Sequence, residues 1–219
     1  PLRKIEAFGE RLVSRYANLL PDDGRMFVDR MQNAAGRMRK LINDLLSYSR
    51  VTTDAKGFQK ASLAKILTEV VSDLQIRIEE TDATVEFGDL PVIDCEPMQM
   101  RQLMQNLLGN ALKFRKPDVK PVIRVSAESH TDVEKPYIVL SIADNGIGFD
   151  NQFREQIFTI FQRLHSRNEY EGTGIGLATV RKIVERHGGS IIADGQPGVG
   201  STFNVTLPIE QGNSKERAA

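Results

Sequence analysis

Three short segments in a fixed order constrain the fold of this chain more than any other feature. They are an Asn-rich stretch from Asn106 to Phe114, the turn Asp144-Asn-Gly146-Ile-Gly148, and the run Gly172-Thr173-Gly174-Ile-Gly176-Leu177. Each segment alone is a weak signal, because Asp-x-Gly-x-Gly is a common turn and glycines often only mark loop geometry. Together they supply a polar helix face, a carboxylate and a flexible glycine backbone, which are the groups that a nucleotide pocket needs.

The Asn-rich segment predicts a helix with two different faces. At about 100° per residue, polar side chains form one stripe, which comprises Gln99, Gln102, Asn106, Asn110 and Lys113. Apolar side chains adjoin it at Met100, Leu103, Met104, Leu107 and Ala111. Asparagine is a poor helix former, and a merely solvated face usually carries Glu and Lys pairs instead. Amide oxygens beside a lysine suit a hydrated Mg²⁺ that bridges phosphates, so this face is predicted to bind Mg-ATP.

Asp144 closes a predicted strand from Tyr137 to Ala143. Ile138, Leu140 and Ile142 share one face of that strand, and Asp144 has the same parity. A carboxylate on the apolar side costs free energy unless a donor satisfies it, and the exocyclic amine of a purine is a fitting donor. The alternative is an aspartate that only caps the following turn.

The glycine run precedes a helix whose apolar positions, Leu177, Val180, Ile183 and Val184, fall at helical spacing. Phosphates would therefore lie against unpaired backbone N–H groups at a helix start, and Thr173 could add a hydroxyl. The spacing differs from the dinucleotide fingerprint, which follows a strand directly, and from the Walker pattern, which needs Gly-Lys-Ser/Thr. Both of those nucleotide folds are disfavoured.

These segments, together with Ile157 to Arg163 and Gly198 to Phe203, resemble the successive boxes of a sensor histidine kinase ATP-binding domain. The resemblance spans nearly the whole chain, and the run from Phe161 to Leu177 is most similar to kinases attached to phytochrome or PAS-type sensors. It implies an α+β fold: a two-layer α/β sandwich of the Bergerat or GHKL type, preceded by a long α-helical hairpin.

The resemblance also implies roles for individual residues. Asn110 would coordinate Mg²⁺ with help from Asn106, Lys113 and Arg163 would reach the phosphates, and Asp144 would hold adenine. Asn106, Lys113 and Arg163 would act in catalysis. Gly172 to Gly176 would hinge a lid over ATP, and Thr202 would lie near the adenine pocket. The other expected ATP contacts are Phe114, Gly146, Gly148, Phe161, Thr173, Gly174 and Leu177.

Helical periodicity stops near Thr52 to Gly57, which predicts a hairpin over 1–55, an ATP-binding domain over 56–209 and a disordered polar tail over 210–219. Pro21 to Gly24 is typical of a turn between the two helices. The second helix carries a heptad stripe, namely Phe27, Met31, Ala34, Met38, Leu41, Leu45 and Tyr48. A hairpin this small has little core of its own, so we expect two copies to pair as a four-helix bundle. Packing against the second domain of the same chain is the alternative.

Charge and cysteine content narrow the function classes. Lys+Arg and Asp+Glu both number 29, so nothing indicates binding to nucleic acid or to bulk membrane. The single cysteine, Cys95, excludes an internal disulfide framework and suits a reducing cytoplasm. The domain is expected to be cytoplasmic, in a parent that is either soluble or anchored to a membrane.

The chain departs from the family in one respect. Such kinases carry their phosphoacceptor in a segment like His-Asp/Glu-Leu-x-x-Pro-Leu, whereas this chain opens at Pro1-Leu2-Arg3. None of its histidines, His130, His165 and His187, occupies the acceptor position. We therefore expect a fragment whose acceptor lies just upstream of Pro1 and which cannot autophosphorylate alone.

The resemblance implies transfer of the γ-phosphoryl group from Mg-ATP to that histidine, and then to an aspartate of a response-regulator receiver domain. An upstream sensor domain would control the reaction. The main rival is an ATPase of the gyrase, Hsp90 and MutL kind, which activates water with a Glu four residues before the metal Asn. Here Asn106 holds that position, and an amide is a poor general base. Two further candidates are a non-catalytic ATP-binding dimerisation module and a protein-serine kinase on the same fold.

Overall fold

The computed structural model of the protein describes residues 1–16, 19–53, 57–166 and 169–211. The chain forms two compact units, Pro1–Ser47 and Tyr48–Ala219. The change of unit falls within a helix. The predicted domain boundary between residues 55 and 56 lies outside the described residues and stays a prediction.

The first unit contains the predicted helical hairpin, which is confirmed. Its helices are α1 (Leu2–Tyr16) and α2 (Asp22–Thr53), the end of α2 belonging to the second unit. The predicted turn at Pro21 to Gly24 is wrong, since Asp22 already begins α2 and the N–H of Arg25 bonds the carbonyl of Pro21 over 3.1 Å. Proline just before a helix fixes a suitable φ, and acidic side chains in the first turn favour its positive end.

Inside the first unit, the residues of α2 that are buried are not those of the heptad stripe. Val28 and Ala35 are buried, whereas Phe27, Met31 and Met38 of the stripe are 59, 60 and 45% exposed. An ion pair joins Arg39 of α2 to Glu6 of α1 over 2.8 Å. The longer helix therefore carries an exposed apolar stripe.

The second unit has a mixed sheet covered by helices. Its strands are β1 (Gln59–Ser62), β2 (Thr84–Phe87), β3 (Val92–Cys95), β4 (Val122–His130), β5 (Tyr137–Asp144), β6 (Ser190–Gln196) and β7 (Gly200–Pro208). Its further helices are α3 (Leu63–Asp73), α4 (Gln75–Glu80), α5 (Pro97–Lys113) and α6 (Gly176–Arg186), with 3₁₀ turns at Asn151–Phe153 and Gln156–Phe158.

Two sheets form within the described residues. The main sheet has the order β2-β4-β5-β7-β6, in which β2 and β4 are parallel and the other neighbours antiparallel. The short strands β1 and β3 pair antiparallel in a second sheet. Alternate residues of the main strands, such as Ile142 of β5 and Val205 of β7, are buried with Leu67, Leu107 and Val180 of helices α3, α5 and α6. The predicted two-layer α+β sandwich is confirmed.

Side-chain caps explain where two of the helices begin. The hydroxyl of Ser62 accepts a hydrogen bond from the N–H of Lys65 over 3.3 Å at the start of α3. The carboxylate of Glu96 accepts from the N–H groups of Met98 and Gln99 at the start of α5, where Pro97 is the first residue. Both arrangements satisfy backbone donors that lack intrahelical partners.

Cys95 lies at the end of β3 with 0% exposure. Burial, with smaller contributions from Glu96 and Asp94, raises the pKa of its thiol to about 12. The thiol is therefore protonated and inaccessible, which agrees with a structural rather than a nucleophilic role.

The polar tail is described only at its beginning. The side chain of Gln211 donates to the carbonyl oxygen of His187 over 2.8 Å, while residues 212–219, where most of the predicted disorder falls, lie outside the described residues. Among the helices of the described ranges, none combines the length and apolar character that crossing a membrane requires.

Candidate functional site

Helix α5 presents the central polar groups of the site. Its apolar side, including Leu103 and Leu107, is buried in the core, which leaves Asn106, Asn110 and Lys113 only partly buried. Within the described residues, no hydrogen bond engages the side-chain amides of Asn106 and Asn110. Their oxygens are therefore available to a ligand.

The predicted polar stripe on α5 is not uniform. Gln99, about two turns before Asn106, is buried and bonds the backbone of Val51 and the side chain of Arg186. At this end of the stripe the polar side chain is used for hydrogen bonds inside the protein, whereas the end from Asn106 to Lys113 borders the glycine segments.

The Asp-x-Gly-x-Gly segment packs against the end of α5. The N–H of Ile147 donates to the carbonyl oxygen of Phe114 over 2.9 Å, and a Cβ on Gly146 would lie 2.4 Å from that oxygen. Gly148 has φ of 66°, and a Cβ there would lie 2.0 Å from the carbonyl oxygen of Gln196. Side chains are excluded at both positions, so the sequence needs glycine here.

Asp144 ends β5 on the apolar side, as its parity predicted. Its carboxylate accepts a hydrogen bond from the N–H of Gly146 over 2.8 Å. Burial raises the pKa of Asp144, an effect that the backbone N–H groups of Gly146 and Ser201 and the charge of Lys116 partly offset. Because burial disfavours the ionised carboxylate, a further donor from a ligand would stabilise it.

The strand register places Ser201, and not Thr202, beside Asp144. Ser201 of β7 lies opposite Asp144, whereas Thr202 lies opposite Ala143, on the other face of the sheet. The register therefore does not bring Thr202 beside Asp144, and its expected position near the adenine pocket stays a prediction. The residue that sequence reasoning missed is Ser201, although its parity with the buried residues Phe203 and Val205 of the same strand could have identified it.

The glycine run also lies close to α5. A Cβ on Gly172 would lie 3.0 Å from Nζ of Lys113, and one on Gly176 would lie 3.2 Å from Oδ1 of Asn106. Gly174 has φ of 76°, and its carbonyl oxygen accepts from the N–H of Phe161 over 3.0 Å. Thr173 and Leu177 flank these contacts in the chain.

Helix α6 begins at the end of the glycine run. Its first backbone N–H groups receive no side-chain hydrogen bond from the capping position, Ile175. Unpaired N–H groups at a helix start, together with the helix dipole, attract anions. The structure thus combines the amides of α5 with an anion-attracting helix end.

Arg163 bonds the backbone around it. Its guanidinium donates to the carbonyl oxygens of Ser166, Tyr170 and Gly172. These bonds use three of its five N–H groups. Contact with a phosphate, which the sequence led us to expect, would fall to the remaining two and stays a prediction. Nearby, Phe161 has the left-handed φ of 65° and is 57% exposed, an uncommon backbone conformation for a residue with a side chain.

The fold and the site together define the class of domain. Helices cover one face of a mixed sheet. Three parts of the candidate site meet along α5: the amides of Asn106 and Asn110, the turn that begins at Asp144, and the run Gly172 to Gly176. This is the arrangement expected of a GHKL-type nucleotide-binding domain.

Comparison with known proteins agrees with that class. Residues 95–211 match the family model "Histidine kinase-, DNA gyrase B-, and HSP90-like ATPase". The chain belongs to this family. The predicted resemblance to the core of a sensor histidine kinase of the phytochrome-associated kind is confirmed by the relatives that follow.

Curated relatives cover almost the whole chain. It is 38% identical over 209 residues to phytochrome-like protein Cph1 of Synechocystis, which covers 95% of this chain and 27% of that protein. It is 41% identical over 217 residues to cyanobacterial phytochrome A of Nostoc, covering 99% of this chain and 28% of that protein. Circadian input-output histidine kinase CikA of Synechococcus elongatus is 31% identical over 95% of this chain and 28% of its own length. The chain thus spans little more than a quarter of these relatives.

Solved structures share the fold. Full-length ShkA in complex with AMPPNP gives a TM-score of 0.69 at 23% identity, covering 95% of this chain and 43% of that one. The catalytic domain of histidine kinase ThkA gives a TM-score of 0.58 at 22% identity, covering 71% of this chain and 100% of that one.

Proposed function

We propose that this chain is the catalytic part of a sensor histidine kinase. It binds Mg-ATP and transfers the γ-phosphoryl group to a histidine that lies outside these 219 residues, upstream of Pro1, for relay to a receiver-domain aspartate. The observation that carries the proposal is the approach of Gly172 and Gly176 to Lys113 and Asn106, which brings a helix start and a polar helix face to one place.

The donor set fits magnesium. Mg²⁺ keeps most of its waters and takes few protein ligands, and the described residues contain no cluster of three acidic, histidine or cysteine side chains that could hold a metal unaided. Asn110 would supply an amide oxygen, with Asn106 one turn before it. When bound, the ion would neutralise phosphate charge and orient the γ-phosphoryl group.

Asp144 would bind adenine. Its carboxylate is partly buried and already accepts from the N–H of Gly146, and its second oxygen would accept from the exocyclic amine. Ser201, opposite Asp144 on the neighbouring strand, would add a hydroxyl to the same end of the pocket. Gly146 and Gly148 would shape the wall there, because no side chain fits at either position.

The phosphates would lie between α5 and the start of α6. They would be contacted by Lys113, by the N–H groups at the start of α6 and by the hydroxyl of Thr173. The two remaining N–H groups of Arg163 would direct positive charge at the same region. Gly172, Gly174 and Gly176 would give the lid its hinge, with Phe114, Phe161 and Leu177 as apolar contacts. Phosphoryl transfer needs mainly positioning and charge neutralisation, which these groups would provide.

An ATPase remains the second candidate, since gyrase- and Hsp90-type enzymes belong to the same family. The position where those enzymes carry their general base is Asn106, whose amide cannot accept a proton from water at neutral pH. The ShkA structure is a complex with AMPPNP, which supports nucleotide binding on this fold. Kinase activity is therefore the better-supported function.

Homodimerisation through the hairpin is part of the proposal. The stripe residues Phe27, Met31, Met38 and Leu45 are 45 to 60% exposed, and burying them against a second copy would remove apolar surface from water.

The remaining expected partners are a response-regulator receiver domain and an upstream sensor domain. We place the catalytic part in the cytoplasm.

The test uses ATP labelled at the γ-phosphate, with Mg²⁺. The chain would be incubated alone, and then with the parent protein extended upstream and disabled by Asp144→Asn. Acid-labile label on the extended partner only is the expected result. Steady release of labelled phosphate without protein label would instead identify an ATPase, and absence of nucleotide binding by calorimetry would contradict the whole proposal.

A further inference from the structure

We propose that Asn145 is a positioning residue of the adenine end of the site, because its side chain holds the loop between α5 and β4 against the turn that follows Asp144. The loop is here the segment 115–121, which the structure describes in full. This inference rests on the proposed function, because it concerns how the same site recognises the base of its nucleotide.

The first support is that the amide of Asn145 bridges two backbone groups at the end of the loop. Its Nδ2 donates to the carbonyl oxygen of Lys120 over 3.0 Å, and its Oδ1 accepts from the N–H of Val122 over 2.9 Å. The N–H of Asn145 also donates to the carbonyl oxygen of Val122 over 3.3 Å. A backbone N–H can only donate and a carbonyl oxygen can only accept, so these partners determine which way the amide faces. Both halves of the amide are thus in use.

The second support is that the same turn holds the beginning of the loop. The N–H of Ile147, two residues after Asn145, donates to the carbonyl oxygen of Phe114, the residue that ends α5. Gly146, between them, leaves no room for a side chain against that oxygen. The turn therefore bonds the chain on both sides of the loop. A segment that is fixed at both ends before a ligand arrives loses less conformational entropy when the ligand binds.

The third support is that the loop reaches the proposed adenine acceptor. Burial raises the pKa of Asp144, and the charge of Lys116, a partly buried residue of the loop, acts in the opposite direction. Interactions between charges weaken with distance, so this effect indicates that the loop borders the carboxylate. Asn145 itself lies between Asp144 and Gly146, whose N–H orients that carboxylate.

From this geometry follows an expected effect on binding. Asn145→Ala removes both side-chain hydrogen bonds to the end of the loop, so the loop and the turn separate more readily. The carboxylate of Asp144 is then less well oriented toward the exocyclic amine of adenine, and a hydrogen bond weakens as its geometry worsens. From the usual strength of one or two hydrogen bonds, we expect Asn145→Ala to weaken ADP binding by about 5- to 20-fold.

A comparison of two nucleotides separates this role from a general loss of stability. Purine riboside 5′-diphosphate is ADP without the exocyclic amine, so it cannot donate to Asp144. The unmodified chain should prefer ADP by at least about 10-fold, because a hydrogen bond to a carboxylate is lost with the analogue. Asn145→Ala should reduce that preference. A variant that is only less often folded would bind both diphosphates more weakly by the same factor and would keep the preference.

Two further variants complete the series. Asn145→Ser keeps a hydroxyl that can accept from Val122 or donate to Lys120 but cannot replace the whole amide, so it should reduce the preference less than alanine does. Asn151→Ala is the matched control. Its Oδ1 accepts from the N–H of Gly195 over 2.8 Å, on β6, two strands away from β5 in the sheet. This variant loses a similar hydrogen bond and should keep the preference for ADP.

The experiment is calorimetric titration of each variant with both diphosphates in the presence of Mg²⁺, with thermal unfolding to check that each variant folds. Hydrogen exchange at the N–H of Ile147 adds a local measurement, because this group bonds Phe114 at the opposite end of the loop from the bonds of Asn145. A lower preference for ADP and faster exchange at Ile147 in Asn145→Ala, but not in Asn151→Ala, would support the inference.

An unchanged preference in Asn145→Ala, or an equal fall in Asn151→Ala, would overturn the inference while leaving the proposed function intact. If the alanine variant does not fold, Asn145→Ser decides in the same way, since it also loses one of the two side-chain bonds. Absence of ADP binding by the unmodified chain, or equal binding of both diphosphates, would instead contradict the proposed adenine site, and this inference with it. The two failures are thus distinguishable.

Discussion

The side-chain amide of Gln99, on α5, donates a hydrogen bond to the carbonyl oxygen of Val51, near the end of α2, over 2.9 Å. The last carbonyls of a helix lack intrahelical partners, so this bond satisfies an acceptor that is buried with Val51. Gln99 in turn accepts from Arg186 of α6 over 2.5 Å, and Lys182 of α6 donates to the carbonyl oxygen of Tyr48 over 3.0 Å. The end of α2 is thereby bonded to both helices that border the candidate site, α5 and α6.

Replacing Gln99 should destabilise the second unit. Gln99→Leu leaves the buried carbonyl of Val51 and the guanidinium of Arg186 without this partner, so we expect the free energy of unfolding to fall by about 1 to 3 kcal/mol. Urea unfolding would measure it. Gln105→Leu, at an exposed position of the same helix, is the control and should cost little. Equal stability of the two variants would show that the bond does not matter.

Asp144→Asn should abolish nucleotide binding while making the fold more stable at neutral pH. Burial raises the pKa of Asp144 above its ordinary 3.8, so the folded state favours the protonated carboxyl and loses stability as pH rises through the raised pKa. The uncharged amide avoids that loss but presents its NH₂ group toward an adenine amine. Calorimetry with ADP and thermal unfolding between pH 3 and 8 would test both effects. Unchanged ADP affinity would refute the adenine assignment.

Ser201 and Thr202 provide a matched pair. Ser201→Ala should weaken ADP binding by about 5- to 10-fold, on the order of 1 kcal/mol for one hydrogen bond, because Ser201 lies opposite Asp144. Thr202→Ala, on the other face of the sheet, should stay within about 2-fold. Calorimetric titration of both variants decides the matter, and a larger effect at Thr202 would contradict the assignment made from the strand register.

His187 should make the second unit sensitive to mild acid. It is fully buried, donates through Nδ1 to the carbonyl of Ile183 over 2.7 Å and accepts at Nε2 from the N–H of Glu96 over 3.1 Å, so it is neutral. Burial, aided by the charge of Arg186, lowers its pKa, although the Ile183 bond and Glu96 act in the opposite direction. With a pKa below the ordinary 6.5, its contribution to stability is complete above pH 6.5 and is lost as pH falls.

The measurement is the free energy of unfolding between pH 7 and 5, where one such group gives a slope of at most about 1.4 kcal/mol per pH unit. His187→Gln should be less stable throughout but should lose that slope. His130→Gln, at a partly exposed position, should retain it. An identical slope in all three proteins would indicate that other groups cause the acid sensitivity.

Much of the candidate site was predictable because it follows local periodicity. The position of Asp144 on the apolar side came from strand alternation, and the amides of Asn106 and Asn110 from helical spacing. The glycines were predictable because only they tolerate the contacts found at Gly146 and Gly148. Strand alternation and helical spacing depend only on neighbours within a few residues in the chain, whereas the contacts that require these glycines are with Phe114 and Gln196, which are distant in the chain.

Features that depend on register or on distant partners were not predictable in the same way. The beginning of β7 at Gly200 decides that Ser201 and not Thr202 accompanies Asp144. Gln99 has the same helical position as the ligand-facing amides, and only its partner 48 residues away explains it. Likewise, the sequence around Arg163 predicts a phosphate-binding residue, whereas its guanidinium donates hydrogen bonds to nearby carbonyl oxygens.

The burial of Cys95 gives the protein an intrinsic reporter of its own unfolding. As the sole cysteine, with a pKa of about 12 and no exposed surface, it offers thiol reagents almost nothing to attack in the native state. Covalent labelling at this position therefore tracks how often the sheet and helices around it separate. A bound nucleotide that stabilises the folded domain would slow this labelling. Occupancy of the site could therefore be followed as the labelling rate of this one thiol.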